Sequence, residues 1–196
     1  MTNADTLKAA PKRLSTPRLR LVQPQPEHAA AVMDSINASL PDLSYIDWGR
    51  AAFDAERARR FCEKDIELVA SGVCLIYFAF ELGSGEFVGN LDLHSCDFDV
   101  PRCEIGYVGD SRRAGSGLMF EAATAVLRLG FELGMERIAA YCDARNLRSI
   151  RFAEQLGMQR EGVLRSHARD PQGGLCDEQV LSMLRGDPFP PPRPAR

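Results

Sequence analysis

Hydrophobic residues recur along the chain with two spacings, one typical of helices and one typical of strands. Ala58, Cys62 and Ile66 follow the four-residue spacing of a helix that buries a single face. Runs rich in branched and aromatic residues, such as 73–82 and 137–143, are typical of buried strands. The pattern predicts helices at 27–40, 53–71, 118–133 and 146–156, and strands at 19–23, 73–82, 87–96, 103–109, 137–143, 160–168 and 175–184.

The order of these elements predicts the architecture of the sheet. A Gly-Ser-Gly turn at 83–85 separates two neighbouring strands, which favours an antiparallel hairpin. The helix 118–133 connects strand 103–109 to strand 137–143, and such a crossover is typical of parallel strands. We therefore expect a mixed α/β (α+β) fold. Its sheet would be mostly antiparallel, with about seven strands, one central parallel pair and about four flanking helices.

The length of 196 residues fits one domain with short tails. Hydrophobic residues make up 45% of the chain and charged residues 26%, as in globular proteins. Residues 1–14 are polar and of mixed charge, which predicts a flexible N-terminal segment. We expect a single domain over residues 15–185 and a disordered tail over the proline-rich residues 186–196.

Composition argues against several classes of protein. The longest apolar run, 73–80, is too short to cross a bilayer, and residues 1–14 lack an apolar signal segment, so we expect a cytoplasmic protein without a membrane partner. A net charge of −3 and a pI near 5.7 offer no basic face for direct binding of nucleic acid. The six cysteines form no C-x-x-C pair, which predicts reduced thiols and no metal site.

Two arginines and two glycines lie between the central predicted strand and the long helix. Arg112 and Arg113 supply positive charge, while Gly115 and Gly117 let the backbone approach a phosphate. The first N–H groups of the helix have no intrahelical acceptor, so the segment predicts a pyrophosphate cradle. It is neither a Walker loop nor a dinucleotide fingerprint, because no lysine follows the glycines and Phe120 replaces the third glycine.

This segment, Arg112-x-x-Gly115-x-Gly117, resembles the acyl-CoA pyrophosphate loop of the GNAT superfamily of acetyl-CoA-dependent N-acetyltransferases. The predicted element order is similar to that fold over nearly the whole chain. Within the superfamily, the chain looks most like the RimJ/RimL group, which acetylates protein N-termini. The matching pieces are Thr16-Pro-Arg-Leu-Arg-Leu21, Glu104-Ile-Gly-Tyr107, Gly115-Ser-Gly-Leu-Met-Phe-Glu121-Ala122, Asn146-Leu-Arg-Ser149, Leu156-Gly-Met158, and Gly162-Val-Leu-Arg165 with Asp177.

The resemblance implies that acetyl-CoA is the co-substrate and that the central parallel pair is splayed apart. The pantetheine arm would then add to strand 103–109 like an extra strand. Asn146 would fix the arm through its amide, although a plain helix N-cap is an alternative role. The residues expected to bind the coenzyme are Ile105, Tyr107, Val108, Arg112, Arg113, Ala114, Gly115, Ser116, Gly117, Leu118 and Asn146.

The expected catalytic residues are Glu104 and Ser149. Many members of the superfamily carry a general-acid tyrosine seven residues after the asparagine, where this chain has Ala153. Ser149 is the natural replacement, as in the RimJ/RimL group, and would orient the leaving sulfur or relay a proton. We expect Glu104 to act as the base through water, with Asp92 and His94 on the neighbouring strand as reserves.

The acceptor is expected to be an N-terminal α-amine. Deprotonating an α-amine costs about 1 kcal/mol at neutral pH, whereas a lysine side chain costs about 4 to 5 kcal/mol, so a weak base suffices. Asp92, Asp97, Asp99 and Glu104 would form a negative mouth that attracts a cation. The reaction would be direct transfer to a protein N-terminus, such as that of a ribosomal protein, in a ternary complex.

Three alternatives remain open from the sequence alone. The acceptor could be a small amine, such as a polyamine, an aminoglycoside or an amino acid, and the aromatic loop 40–48 would decide this. The missing tyrosine also fits a binding module that senses acyl-CoA without turnover. A structural subunit would carry a large exposed apolar patch. The resemblance also allows a homodimer.

Overall fold

The computed structural model describes residues 3–191, which fold around one eight-stranded sheet with the strand order β1-β2-β3-β4-β5-β6-β8-β7. The helices are α1 (Asn3–Lys8), α2 (Ala29–Ser39), α3 (Ala55–Ser71), α4 (Leu118–Glu132) and α5 (Leu147–Gln155). The strands are β1 (Arg13–Ser15), β2 (Leu19–Val22), β3 (Leu75–Glu81), β4 (Phe87–Asp97), β5 (Arg102–Gly109), β6 (Arg137–Asp143), β7 (Gln159–Arg169) and β8 (Leu175–Leu184).

The pairing of the strands confirms the expected mixed sheet. Within residues 3–191, every neighbouring pair is antiparallel except β5 and β6, which are parallel. The structure adds α1 and β1 to the elements expected from the sequence. These two elements have six and three residues, too few to establish a hydrophobic period. No helix in this part of the chain is long and apolar enough to cross a membrane.

Both ends of the described chain pack more closely than the sequence suggested. Residues 3–14 were expected to be flexible, yet Leu7 of α1 is only 2% exposed, and the hydroxyl of Tyr77 donates to the carbonyl oxygen of Pro11. In the C-terminal segment that was expected to be disordered, Phe189 packs 6.1 Å from Phe131 between ring centroids. Burial of apolar side chains explains the contacts at both ends. Residues 192–196 of the expected tail lie outside the described residues.

Alternation along β4 distributes its side chains between the two faces of the sheet. Leu91 and Leu93 are buried in the core that includes α4 and α5. Asp92 points to the opposite face, because its cross-strand partner Ile76 belongs to the core formed with α2 and α3. His94, two residues further along, shares the face of Asp92. A strand centred in the sheet therefore carries polar side chains toward α3.

The parallel pair separates after three residue pairs. Arg102, Cys103 and Glu104 pair with β6, and the ladder then stops although β5 continues to Gly109 and β6 to Asp143. Among the residues that the structure describes, β5 beyond this point remains paired only with β4, and β6 only with β8. The splayed parallel pair is thus confirmed, and one backbone edge of β5 faces an open cleft.

Candidate active site

The turn between β5 and α4 presents bare backbone N–H groups. Asp110 accepts a hydrogen bond from the backbone N–H of Arg112 at 2.9 Å and starts a short 3₁₀ turn. Gly115 and Gly117 then adopt φ angles of 80° and 77°, which favour glycine. Among the described residues, their N–H groups meet no acceptor. Gly117 caps α4, so these groups lie at a helix N-terminus, as an anion cradle requires.

The two arginines of this turn are paired with carboxylates. The Arg112 guanidinium lies 2.6 Å from Asp110 and 2.7 Å from Asp34, counted between nitrogen and oxygen. Arg113 pairs with Glu81 at 3.3 Å and also contacts Glu86. The sequence analysis treated both arginines as uncompensated positive charges, and the structure corrects this. The positive potential of the turn therefore comes mainly from its backbone.

A carboxylate behind the turn holds it to the N-terminal part of the sheet. Glu121, in the first turn of α4, accepts hydrogen bonds from the Thr16 hydroxyl at 2.5 Å and from Arg18 Nε at 2.6 Å. Arg18 also donates to the carbonyl oxygen of Ser116 at 3.1 Å. Although burial alone would raise it, these bonds hold the pKa of Glu121 below its ordinary value. In the sequence, Thr16, Arg18 and Glu121 contributed only to the family resemblance, and their role in fixing the turn was not predicted.

Ser149 lies on the other side of the cleft, in the first turn of α5. The side-chain oxygen of Asn146 accepts from the Ser149 backbone N–H at 3.1 Å, so Asn146 is the N-cap of this helix. The hydroxyl of Tyr107, from β5, lies 3.3 Å from Ser149 Oγ. Burial raises the pKa of Tyr107 to about 12, which keeps its hydroxyl protonated. A tyrosine thus reaches Ser149 from β5, although alanine occupies position 153, where the resemblance led us to look for a tyrosine.

The three candidate bases form one connected chain. His94 Nδ1 lies 2.5 Å from Asp92 Oδ1, and His94 Nε2 lies 3.2 Å from Glu104 Oε2. Hydrogen bonding to Asp92 raises the pKa of His94 despite its partial burial. Asp92 lies over the backbone of Gly106, where a Cβ would stand 2.5 Å from Asp92 Oδ2. The three linked side chains therefore lie at the point where the pairing of β5 with β6 ends.

Asp97, another acid expected at the mouth, has a different role. Asp97 is the last residue of β4, and its carboxylate accepts from the N–H groups of Asp99 and Val100 in the turn that follows, both at 3.0 Å. It also lies 3.9 Å from Arg102. These contacts give Asp97 a structural role in the turn.

Sequence reasoning missed Asp65, a buried carboxylate near Asp92. Asp65 lies on the inner face of α3, three residues after Cys62, and is 8% exposed. The sequence analysis assigned the inner position to Ile66, which is less buried. Burial and the neighbouring Asp92 raise the pKa of Asp65 to about 7. The sequence signal that could have identified it is the position of Asp65 three residues after Cys62, on the apolar stripe of the helix.

The loop 40–48 is tied to the helix that carries Ser149. Asp42 forms an ion pair with Arg148 at 2.8 Å, and the Tyr45 ring centroid lies 5.9 Å from the Arg145 guanidinium. Leu43 is buried, and Trp48 packs against core aromatic rings, so these two residues mainly cover the core. Within residues 3–191, no group of three or more acidic, histidine or cysteine side chains is arranged to hold a metal ion.

Comparisons with known proteins agree with this geometry. The family described as acetyltransferase (GNAT) domain matches residues 18–159. Uncharacterized N-acetyltransferase p20 of Bacillus licheniformis is 28% identical over 133 residues, which cover 67% of this chain and 74% of that protein.

Two solved structures share the fold at low sequence identity. The microcin C7 self-immunity acetyltransferase MccE, in complex with acetyl-CoA and AMP, has a TM-score of 0.81 and 19% identity, covering 91% of this chain and 99% of its own. RimL, described as the ribosomal L7/L12 alpha-N-protein acetyltransferase in complex with coenzyme A, has a TM-score of 0.77 and 20% identity. This match covers 86% of this chain and 95% of the RimL chain.

Proposed function

Since the chain belongs to the acetyltransferase (GNAT) domain family, we propose that it transfers the acetyl group of acetyl-CoA to a primary amine, the α-amine of a protein N-terminus. The observation that carries the proposal is the open edge of β5, which begins after Glu104 and ends at the glycine turn. A strand edge and a helix N-terminus together suit a ligand with an amide-containing arm and a diphosphate.

The coenzyme is held mainly by backbone groups. Its diphosphate would accept hydrogen bonds from the N–H groups of Gly115 and Gly117, in the turn from Ala114 to Leu118. Its pantetheine arm would pair with Ile105, Tyr107 and Val108. Arg112 and Arg113 line the same turn but share their charge with carboxylates. Asn146 already caps α5 through its side-chain oxygen, and its amide nitrogen, which donates to no acceptor among residues 3–191, is available to the arm.

Deprotonation of the acceptor is assigned to Glu104, supported by His94 and Asp92. Glu104 lies at the last β5–β6 pair, beside the start of the open edge. An α-amine has to lose a proton at a cost of about 1 kcal/mol at neutral pH, so a carboxylate acting through water is sufficient. His94 connects Glu104 to Asp92 and offers the proton a path away from the amine.

Stabilisation of the leaving thiolate is assigned to Ser149 and Tyr107. Their hydroxyl groups lie 3.3 Å apart on opposite sides of the cleft. Tyr107 can donate to Ser149 while Ser149 donates to the sulfur, which distributes the developing negative charge over two hydroxyl groups. Burial raises the pKa of the nearby Cys142 thiol, so Cys142 is a poor nucleophile, which supports direct transfer in a ternary complex.

Free-thiol detection tests this proposal with a panel of peptides that differ at the first residue. The native protein should release coenzyme A thiol only when an acceptor is present. Glu104→Gln should lower kcat at least about tenfold and remove the acidic limb of the pH profile. Glu132→Gln, which removes the same charge from an exposed site at the end of α4, is the matched control. Loss of rate in Glu104→Gln with an unaltered pH profile would assign Glu104 to attraction of the cation.

A further inference from the structure

A cavity of about 480 Å³ lies beside the outer strands of the sheet, away from the acetyl-transfer cleft. Its walls come from the segment before β1, from β2 and the turn that leads into α2, and from the end of β3. Phe80, one of its wall residues, pairs with Phe87 at the start of β4, seven residues before His94. Seven residues of strand span about 23 Å, so a small molecule in this cavity does not reach the proposed base.

Two cationic side chains line this cavity without a carboxylate partner among residues 3–191. Arg20, on β2, is half-buried, and its guanidinium carbon lies 5.5 Å from the ring centroid of Phe80. Lys12 lies just before β1 and is exposed. Arg18, two residues before Arg20, is by contrast paired with Glu121. The N–H groups of Arg20 are therefore available to an anion.

A histidine supplies a neutral donor to the same cavity. His28 Nδ1 accepts from the backbone N–H of Gln25 at 3.1 Å, so the proton of the neutral imidazole lies on Nε2. Burial lowers the pKa of His28, which keeps the ring neutral at neutral pH. No residue among 3–191 accepts from Nε2, so this N–H is available to a ligand as well.

Aromatic rings form the apolar wall of the cavity. The ring centroids of His28 and Phe80 lie 5.0 Å apart, with the two planes tilted by 48°. Val22, at the end of β2, completes this wall. Aromatic side chains pack against flat rings in tilted and edge-to-face arrangements, which add to the free energy gained by burying apolar area. The wall therefore favours a ligand with an aromatic ring over a small inorganic ion.

The charges around the cavity suit one negative charge. Lys12 and Arg20 contribute two positive charges and Glu27 one negative charge, which leaves an excess of one positive charge beside the neutral His28. A carboxylate balances this excess, whereas a doubly charged phosphate exceeds it. The planar guanidinium also matches a carboxylate through two parallel hydrogen bonds. The volume of the cavity lies within the range of small-molecule sites.

We propose that this cavity binds an aromatic carboxylate, with the carboxylate on Arg20 and Lys12 and the ring against Phe80 and His28. The inference goes beyond acetyl transfer, because it gives the protein a second small-molecule site. None of the residues that line the cavity belongs to the proposed coenzyme site or to the proposed base. The two sites should therefore be occupied independently.

Titration of the native protein with naphthalene-2-carboxylate, followed by NMR, tests the site. Binding should saturate with a Kd at or below about 1 mM, and the Kd should stay the same when coenzyme A is present at saturation. The Nε2 resonance of His28 should shift during the titration. The neutral 2-naphthalenemethanol and the non-planar cyclohexanecarboxylate should each bind at least about fivefold more weakly, because each lacks one of the two recognised features.

Variants assign the binding to the cationic wall. Arg20→Gln and Lys12→Gln should each raise the Kd for naphthalene-2-carboxylate at least about fivefold. Arg13→Gln, which removes the same charge from an exposed neighbour outside the cavity, is the matched control and should keep the native Kd. Lys12 is exposed, so its replacement tests the site even where Arg20→Gln disturbs the fold.

Four results would overturn the proposal. The first is absence of saturation by naphthalene-2-carboxylate, and the second is equal binding of the neutral or the non-planar analogue. A third is an equal loss of affinity in Arg13→Gln and Lys12→Gln, which would reduce the effect to general positive charge. Displacement by coenzyme A would be the fourth, because the cavity would then be part of the coenzyme site. Acetyl transfer is measured separately by thiol release, so its outcome does not decide this proposal.

Discussion

Replacing Asp65 with asparagine should change how the stability of the protein depends on pH. The pKa of Asp65 lies near 7 in the folded protein because of burial and the neighbouring Asp92, whereas the ordinary value is 3.8. Folding therefore requires proton uptake between these two pH values, and stability falls as the pH rises through this window. Asparagine keeps the shape of the side chain and removes its titration.

The size of the effect follows from the two pKa values. A difference of about 3 between the folded and unfolded pKa values lowers the free energy of unfolding by about 4 kcal/mol once the carboxyl group is deprotonated in both states. Between pH 5 and pH 8, the contribution of Asp65 should change by about 2.5 kcal/mol. Asp65→Asn should gain stability relative to the native protein by about this amount over the same interval.

Urea unfolding followed by circular dichroism at pH 5 and pH 8 measures this difference. Glu67→Gln, which removes an exposed charge from the same helix, should follow the native pH dependence. Parallel pH dependence of the native protein and Asp65→Asn would refute the reasoning, because Asp65 would then titrate alike in the folded and unfolded states.

Three further changes test the cleft. Ser149→Ala should lower kcat more than it raises the KM for acetyl-CoA. The double variant with Tyr107→Phe should lose less kcat than the two single losses predict together, because the two hydroxyl groups act as a pair. Steady-state kinetics of the native protein, the two single variants and the double variant measures this. Glu121→Gln should weaken acetyl-CoA binding about tenfold in calorimetry, because the bonds from Arg18 to Glu121 that hold the glycine turn are weakened. Gly117→Ala should cost roughly 1–2 kcal/mol of stability in urea unfolding, since alanine is strained at a φ of 77°; equal stability would show that the turn relaxes.

Local sequence patterns were sufficient to predict most of the sheet and the glycine turn. The crossover helix α4 between two apolar strands requires parallel pairing, and Gly115 and Gly117 mark a turn whose backbone conformation favours glycine. The short elements α1 and β1 were not predicted, because six and three residues are too few to establish a hydrophobic period. The separation of β5 from β6 came from the resemblance, since no residue pattern alone reports where a ladder stops.

Apart from the pair between Arg112 and Asp110, which lie two positions apart, the charge pairing at the site could not be predicted from local sequence. Arg112 meets Asp34 across 78 positions of the chain, and Arg18 meets Glu121 across 103. Such contacts depend on tertiary folding, so the sequence suggested free arginines where the structure has ion pairs. Asp65 was missed for a different reason: Ile66 satisfied the apolar period almost as well, and an acid was not considered for the buried face.

The central claim is that the cleft between β5 and β6 binds acetyl-CoA and delivers its acetyl group to an amine. The most direct measurement combines thiol detection with mass spectrometry of the acceptor after mixing protein, acetyl-CoA and a peptide with a free α-amine. The account predicts one free thiol for each peptide that gains an acetyl group at its first residue, and no gain when the α-amine is blocked. Tight coenzyme binding without thiol release for any peptide or small amine would contradict it and identify the protein as a binding module.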